Sequence, residues 1–271
     1  TGPVTPRRPE PTKPPFEWQK KEGEYDPKPP LEPVFPVQPI IPHPPKPKPT
    51  RHKDVFVDLS SNFMPVKNQN KSGACAAFAA SSIVEYFINT FVNDIKPENE
   101  LSELFLYYII RPNPRQRRVY THMLGDVPAS LQLRGICFNR FWEWLPLDEN
   151  EVPTKISIRP ENYAYANALL KRMLGWKELS PNDPDLWVDE LLRGNPIFIA
   201  IRADDAFKKA GDEKKNVYFA TSGGGGGHAI VIVGFSNFFP DPNDQKKAIA
   251  AFKIRNSWGS GWGDNDYIWV P

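Results

Sequence analysis

Cysteine is scarce in this chain. Only Cys75 and Cys137 occur among its 271 residues. Two thiols cannot form the disulfide framework that stabilises many small secreted domains, so that class of protein is excluded. Each cysteine is therefore available for a single-thiol role, and cysteine usage leaves the cellular compartment open.

Long apolar runs and a charge excess of one sign are also lacking. No uninterrupted apolar run approaches the roughly 18 residues of a membrane-spanning helix. The 34 basic residues nearly balance the 32 acidic ones, and a net charge of +2 predicts neither nucleic acid nor a membrane surface as a partner. The chain opens on Thr1 without an apolar signal core, so we expect any targeting segment to have been removed. A hydrophobic content of 40% fits a globular domain with a substantial core, and we expect a monomer.

Proline is abundant but unevenly distributed. Residues 1–50 hold more than half of the 31 prolines. Proline fixes φ and lacks an N–H, so this stretch favours extended polyproline II segments. A linker or disordered arm is one interpretation. A propeptide lying against the folded domain is the other, because aromatic side chains interrupt the stretch at Phe16, Trp18, Tyr25 and Phe35. We assign residues 1–53 to this N-terminal arm and 54–271 to the folded domain.

The folded domain is predicted to be α+β. Apolar periodicity indicates helices at 75–92, 101–110, 127–134, 163–174 and 185–192. Short β-branched or aromatic runs indicate strands at 54–59, 196–201, 228–234, 248–254 and 267–270. Because most helices precede the strands instead of alternating with them, we expect a helical lobe at about 60–150 and a sheet lobe at about 151–271.

Cys75 is predicted to lie in the first turn of the first long helix, directly after a polar, glycine-containing segment. Unpaired N–H groups and the helix dipole favour negative charge there, so the thiol should ionise below the ordinary pKa of about 8.5. The alternative interpretation is a small buried hydrophobic residue with no chemistry.

The sheet half supplies partners for this thiol. Five glycines lead into His228 at the start of a predicted strand, and Asn256 ends a later strand. A thiol nucleophile needs a base to take its proton, and the base needs a third group to orient its ring. Cys75, His228 and Asn256 can meet through folding. His122 is the rival base, although no orienting asparagine motif accompanies it.

From about residue 57 to 271 the chain resembles the papain family of cysteine peptidases. The resemblance rests on three motifs in the family's order: Asn68-Gln69 with Cys75 six residues after the glutamine, Gly227-His228-Ala229, and Asn256-Ser257-Trp258-Gly259 followed by Gly261-Trp262-Gly263. It implies a helical left lobe packed on a β-barrel-like right lobe, with the active-site cleft between them.

The resemblance also implies a function, that of a cysteine endopeptidase acting on peptide or protein substrates without cofactor or metal. Cys75 as thiolate would attack the peptide carbonyl and form a thioester acyl-enzyme. His228 as imidazolium would protonate the leaving amine, and Asn256 would orient its ring. Gln69 and the Cys75 N–H would form the oxyanion hole. Substrate-binding positions are expected at Gly73, Met123 and Trp258, and Trp258 would also shield the His228–Asn256 bond from water. The family resemblance favours a secreted or periplasmic location.

The chain departs from the family pattern at three places. Ser72 stands where many members carry a disulfide-forming cysteine, Ala76 replaces a common tryptophan, and residues 121–123 replace a glycine-rich substrate-pairing strand. Missing disulfides make the chain look more like a bacterial branch. The other two departures motivate an alternative function, a catalytically weakened peptide-binding protein. A third hypothesis treats the proline-rich arm as a ligand for SH3-like modules. We also expect residues from about Phe16 to Phe35 of the arm to lie in or across the cleft and hold the enzyme latent.

Overall fold

The structure is a computed structural model that describes residues 54–93, 95–111, 126–144, 156, 158–220 and 224–271. The N-terminal arm, the rival base His122 and the predicted substrate contact Met123 lie outside the described residues.

The described part of the chain contains six α-helices. Their bounds are α1 Cys75–Val92, α2 Glu103–Ile109, α3 Asp126–Arg134, α4 Asn162–Ala168, α5 Pro184–Leu192 and α6 Asp205–Asp212. The prediction for α1 is confirmed at both ends. The helix predicted at 101–110 is found as α2, and its N-cap is Ser102, whose hydroxyl accepts the Phe105 N–H at 3.0 Å. The prediction for α4 was too long, since it gives way to a 3₁₀ turn at Leu169–Lys171.

Helix α6 was not predicted from the sequence. Its N-cap is Asp204, whose carboxylate accepts the Phe207 N–H at 2.7 Å. The helix has only eight residues, and its buried residues Phe207, Ala210 and Gly211 recur at helical spacing, a short pattern that the sequence interpretation overlooked. Gly211 near its end packs against the indole of Trp262, and a Cβ there would lie 1.7 Å from the Trp262 Nε1. This tertiary contact holds α6 beside the sheet.

Five strands form one antiparallel sheet. Their bounds are β1 Phe56–Asp58, β2 Ile197–Ala203, β3 Gly226–Asp241, β4 Asp244–Arg255 and β5 Tyr267–Val270. Strand β3 pairs with β1, β2 and β4, and β5 pairs with β4. The sequence predicted β3 to end at 234, but register shifts against β4 let the hairpin continue to Asp241.

Strand β3 separates two hydrophobic cores. Side chains alternate between the two faces of a strand. Ala229, Val231 and Val233 accordingly pack into the core built around α1 and α2, whereas Ile230 and Ile232 pack into the core shared with α5 and α6. The two-lobe arrangement that the sequence predicted is therefore organised by one central strand.

The helical core extends further along the chain than the predicted lobe boundary at about 151. Helix α4 places Ala164 and Ala168 in the core with α1 and α2. Helix α1 has the length and mean hydropathy of a membrane-spanning helix, which was not predicted, but more than half of it is buried inside the domain. It is the central helix of this core.

Candidate active site

The thiol of Cys75 lies at the first residue of α1 and beside β3. Ala74 precedes it as the N-cap and provides no side-chain hydrogen bond. The sulfur is half-buried and receives a backbone hydrogen bond from Ala229, the residue after His228. Because strand β3 carries both residues, the fold brings the predicted nucleophile next to the predicted base.

The predicted acidity of this thiol is corrected by the structure. Burial raises the pKa of the Cys75 thiol, while hydrogen bonds from the backbone of Ala229, Ala76 and Cys75 itself lower it. The net direction is upward, so the N–H groups at the start of α1 do not outweigh desolvation. The sequence located the helix N-terminus correctly but carried no measure of how deeply the thiol is buried.

His228 and Asn256 form the hydrogen bond expected of a base and its orienting group. The His228 Nε2 lies 2.7 Å from the Asn256 Oδ1. An amide oxygen only accepts, so the ring proton lies on Nε2 and Nδ1 is left to take another proton. Both residues are buried, with 6% and 5% of their surfaces exposed. Burial lowers the pKa of His228, and the bond to Asn256 raises it, with a net downward direction.

An aromatic cluster covers the His228 ring. The Trp258 indole stacks on it with ring centroids 4.7 Å apart and an angle of 26° between the planes. Phe207 and Trp262 meet Trp258 edge-on at 5.6 and 5.4 Å. These rings exclude water from one face of the imidazole and hold its plane. Trp258 thus contacts the base beside the His228–Asn256 bond that it was expected to shield, and its assignment to substrate binding stays a prediction.

Gln69 is held in a fixed orientation by the segment that carries Asn256. The Ser257 hydroxyl donates to Gln69 Oε1 at 2.6 Å, and the Gln69 N–H donates to the Ser257 carbonyl at 2.9 Å. The Gln69 Nε2 donates one hydrogen to the Ser72 carbonyl at 2.8 Å, which leaves its second hydrogen for another acceptor. Gly73 is half-buried in the loop between Gln69 and Cys75.

The close approach of the Gln69 and Asn256 segments requires a glycine. Gly259 has a φ of +85°, and a Cβ there would lie 3.2 Å from the Asn68 Nδ2. Asn68 also forms an isolated antiparallel bridge with Trp258. The two motifs that the sequence separates by almost the whole domain are therefore joined by backbone contacts.

A buried ion cluster lies behind Asn256. Lys67 Nζ donates to Glu85 at 2.8 Å and to Glu103 at 2.7 Å. Burial raises the pKa of Glu85 to about 7, against the opposing charge of Lys67. These side chains border a cavity of about 10 Å³ that Asn256 also lines. That volume is about what one water molecule needs.

Two contributors to the site were not identified from the sequence. Ser257 stands inside the asparagine motif, so its position between Asn256 and Trp258 was a usable signal. Asp266 is fully buried, and its carboxyl accepts the Trp258 N–H. No sequence pattern pointed to Asp266, because the contact depends on the turn between β4 and β5. The described ranges contain no group of three or more His, Cys, Asp or Glu side chains that could hold a metal ion.

Comparisons with known proteins give matches to papain-like cysteine proteases. The family model described as papain family cysteine protease matches residues 158–271. Cysteine protease 1 of Oryza sativa is 26% identical over 212 residues, covering 78% of this chain and 39% of its own length. Human cathepsin L2 is 25% identical over 227 residues, and the match covers 79% of this chain and 61% of its own length. The chain spans about two-fifths of the length of the first relatives it matches.

Solved structures share the fold. Xylellain, a cysteine protease from Xylella fastidiosa, superposes with a TM-score of 0.61 at 24% identity and covers 80% of this chain and 79% of its own. The bromelain protease from Ananas comosus, solved with the E64 inhibitor, has a TM-score of 0.61 at 19% identity, and the match covers 79% of this chain and 88% of its own. The fold is thus the α+β, two-lobe fold of papain-like proteases.

This fold and these matches make the chain similar to the papain family of cysteine proteases.

Proposed function

We propose that the chain is a cysteine endopeptidase that hydrolyses peptide bonds through a thioester acyl-enzyme. The observation that carries this proposal is the position of the Cys75 thiol beside the Ala229 backbone, next to a histidine whose Nδ1 is free and whose Nε2 is held by Asn256. A nucleophile, a base and an orienting group are the three parts that acyl transfer by a thiol needs.

The proton begins on the thiol. Burial favours the neutral form of both Cys75 and His228, so the resting pair is thiol and imidazole. The proton passes to His228 Nδ1 as the sulfur attacks the carbonyl carbon of the substrate and the C–S bond forms. The resulting imidazolium then gives this proton to the amine as the C–N bond breaks, which leaves the thioester.

The oxyanion of the tetrahedral intermediate takes hydrogen bonds from the Cys75 N–H and from the second Nε2 hydrogen of Gln69. One donor of this kind is worth about 3 kcal/mol of barrier, or roughly a hundredfold in rate. Ser257 fixes the Gln69 carboxamide before substrate arrives. In deacylation His228 takes a proton from water as the hydroxyl attacks the thioester carbonyl. The C–S bond then breaks and releases the carboxylic acid product, and the imidazolium returns its proton to the sulfur.

The test compares wild type with Cys75→Ala and with Cys137→Ala, a matched control at the other, fully buried cysteine. Turnover of a fluorogenic peptide under reducing conditions should be lost in the first variant and kept in the second. A cysteine-directed epoxide should label wild type once, at Cys75. Peptide binding and labelling without turnover would instead favour the weakened peptide-binding protein. Turnover in Cys75→Ala would reject the assignment.

The N-terminal arm is proposed to keep this enzyme latent by lying in the cleft. Support comes from its proline-rich, extended composition and its aromatic residues, and from likeness to a procathepsin L2 structure of Tenebrio molitor, at a TM-score of 0.59. A tether gives such a segment an effective concentration in the millimolar range. A variant starting at His52 should then cleave the peptide faster and label faster at Cys75. Equal rates would show that the arm is a linker.

A further inference from the structure

Asp266 is an unusual residue for its position in the fold. It lies in the turn just before β5 and none of its surface is exposed. Its backbone φ is +69°, in the left-handed region that favours glycine. Asp and Asn tolerate this region better than other side chains, but a buried carboxyl there also loses its hydration. Two unfavourable features at one residue call for compensating contacts.

The carbonyl and the carboxyl of Asp266 contact the segment that carries Asn256, while its own N–H donates to the Trp262 carbonyl at 2.7 Å. The Asp266 carbonyl accepts the Asn256 N–H at 2.9 Å. The Asp266 carboxyl accepts the Trp258 N–H with both oxygens, at 3.1 and 3.2 Å. One residue thus holds the three-residue segment Asn256–Trp258 at both ends. The first end orients the His228 ring through a hydrogen bond, and the other end stacks an indole on it.

We propose that Asp266 is a positioning residue for the proposed reaction, holding Asn256 and Trp258 in the geometry that fixes the His228 ring. The backbone contact to Asn256 needs only the turn, whereas the contact to Trp258 needs the carboxyl. The carboxyl is the part that substitution can remove selectively. This inference rests on the proposed function for its kinetic consequence but not for its structural one.

The charges around Asp266 are compatible with this role. Arg255 on β4 and the Gly259 N–H favour its ionised form, while burial opposes ionisation and raises the pKa to about 8. Tyr267, the next residue, is the other titratable neighbour, and its hydroxyl accepts from Arg255 at 2.6 Å. Near neutral pH the carboxyl is therefore largely protonated and still offers an oxygen to the Trp258 N–H.

Three variants distinguish the contribution of the Asp266 carboxyl from that of the turn backbone. Asp266→Gly suits the positive φ but removes the acceptor. Asp266→Asn keeps one oxygen acceptor. Asn265→Gly is the matched control, because Asn265 has a φ of +52° and an exposed side chain. We expect kcat to fall about tenfold in Asp266→Gly with KM within twofold, and to stay within threefold of wild type in the other two.

A wild-type kcat in Asp266→Gly, or an equal loss in Asp266→Asn, would overturn the proposal. If Asp266→Gly does not fold, Asp266→Asn decides the matter alone, because a fall in its kcat of more than threefold would overturn the proposal. NMR of the histidine ring protons provides a readout independent of turnover. The His228 signals should shift in Asp266→Gly and remain in place in Asn265→Gly. If wild type shows no Cys75-dependent turnover, the proposed function fails, and these signals alone decide the role of Asp266.

Discussion

Replacing Asn256 by alanine removes the only side-chain partner that the described residues provide for His228 Nε2. The bond is 2.7 Å long and both residues are almost fully buried, so water cannot readily take the place of the amide oxygen. A buried donor left without a partner costs about 1–3 kcal/mol. At 1.36 kcal/mol per factor of ten, this corresponds to a loss of roughly fivefold to 150-fold in kcat.

Stacking of Trp258 on His228 should reduce the loss of kcat in Asn256→Ala. Trp258 still restrains the plane of the His228 ring, and aromatic pairs contribute about 0.5–1.5 kcal/mol beyond buried area. We therefore expect Asn256→Ala to lower kcat about thirtyfold, near the middle of that range, with KM changed less than threefold.

Steady-state kinetics with a fluorogenic peptide measure kcat and KM separately. Asn243→Ala is the control, because Asn243 is an exposed residue in the β3–β4 turn, far from His228 in the sheet. Its kinetics should equal those of wild type. If Asn256→Ala keeps the wild-type kcat, the Nε2 hydrogen bond does not orient the base and the assignment of Asn256 is wrong.

Three further outcomes are expected. Ser257→Ala removes the donor that fixes the Gln69 amide and should lower kcat about three- to tenfold, less than loss of a whole oxyanion donor, whereas the exposed Ser260→Ala should change nothing. Alkylation of Cys75 by iodoacetamide should accelerate toward alkaline pH, because burial raises the thiol pKa; a rate already constant from pH 5 upward would instead indicate an ion pair. The pKa of Asp266 is about 8 in the folded protein against an ordinary 3.8, so the free energy of unfolding should fall as pH rises between these two values. Measured by urea titration, Asp266→Asn should make this fall with pH less steep. An unchanged pH dependence would contradict the pKa shift.

Helices were predicted well from the sequence where side chains within the helix determine its bounds. Helix α1 was correct at both ends because apolar side chains recur along its whole length, and α2 because Ser102 provides its cap. Strand β3 was predicted too short, since its extension depends on bulges that absorb register shifts against β4. Helix α6 was missed although Asp204 caps it and its buried residues recur at helical spacing, because a pattern of eight residues is short.

In the candidate site, too, the residues could be predicted from the sequence, but the properties that depend on tertiary packing could not. Cys75, His228, Asn256 and Gln69 could be named because their motifs stand in a fixed order along the chain. The direction in which the Cys75 pKa shifts could not be predicted from the sequence, because desolvation depends on which residues pack over the sulfur. The contacts of Asp266 were equally inaccessible, since they arise only when the β4–β5 turn closes.

The register of β3 is what turns these separate motifs into one site. Residues that follow each other on a strand point to opposite faces. The His228 ring therefore stacks on Trp258, while the Ala229 side chain packs in the core around α1 and its backbone N–H reaches the Cys75 thiol. The pairing of β2 with β3 is unbroken from Ile197 opposite Ile232 to Ala203 opposite Gly226, and the first register shift against β4 comes only after Ile232. A slip of one residue would exchange the two faces and carry the imidazole away from Asn256. Bulges can thus be accommodated in the distal hairpin but not in the paired segment that carries His228.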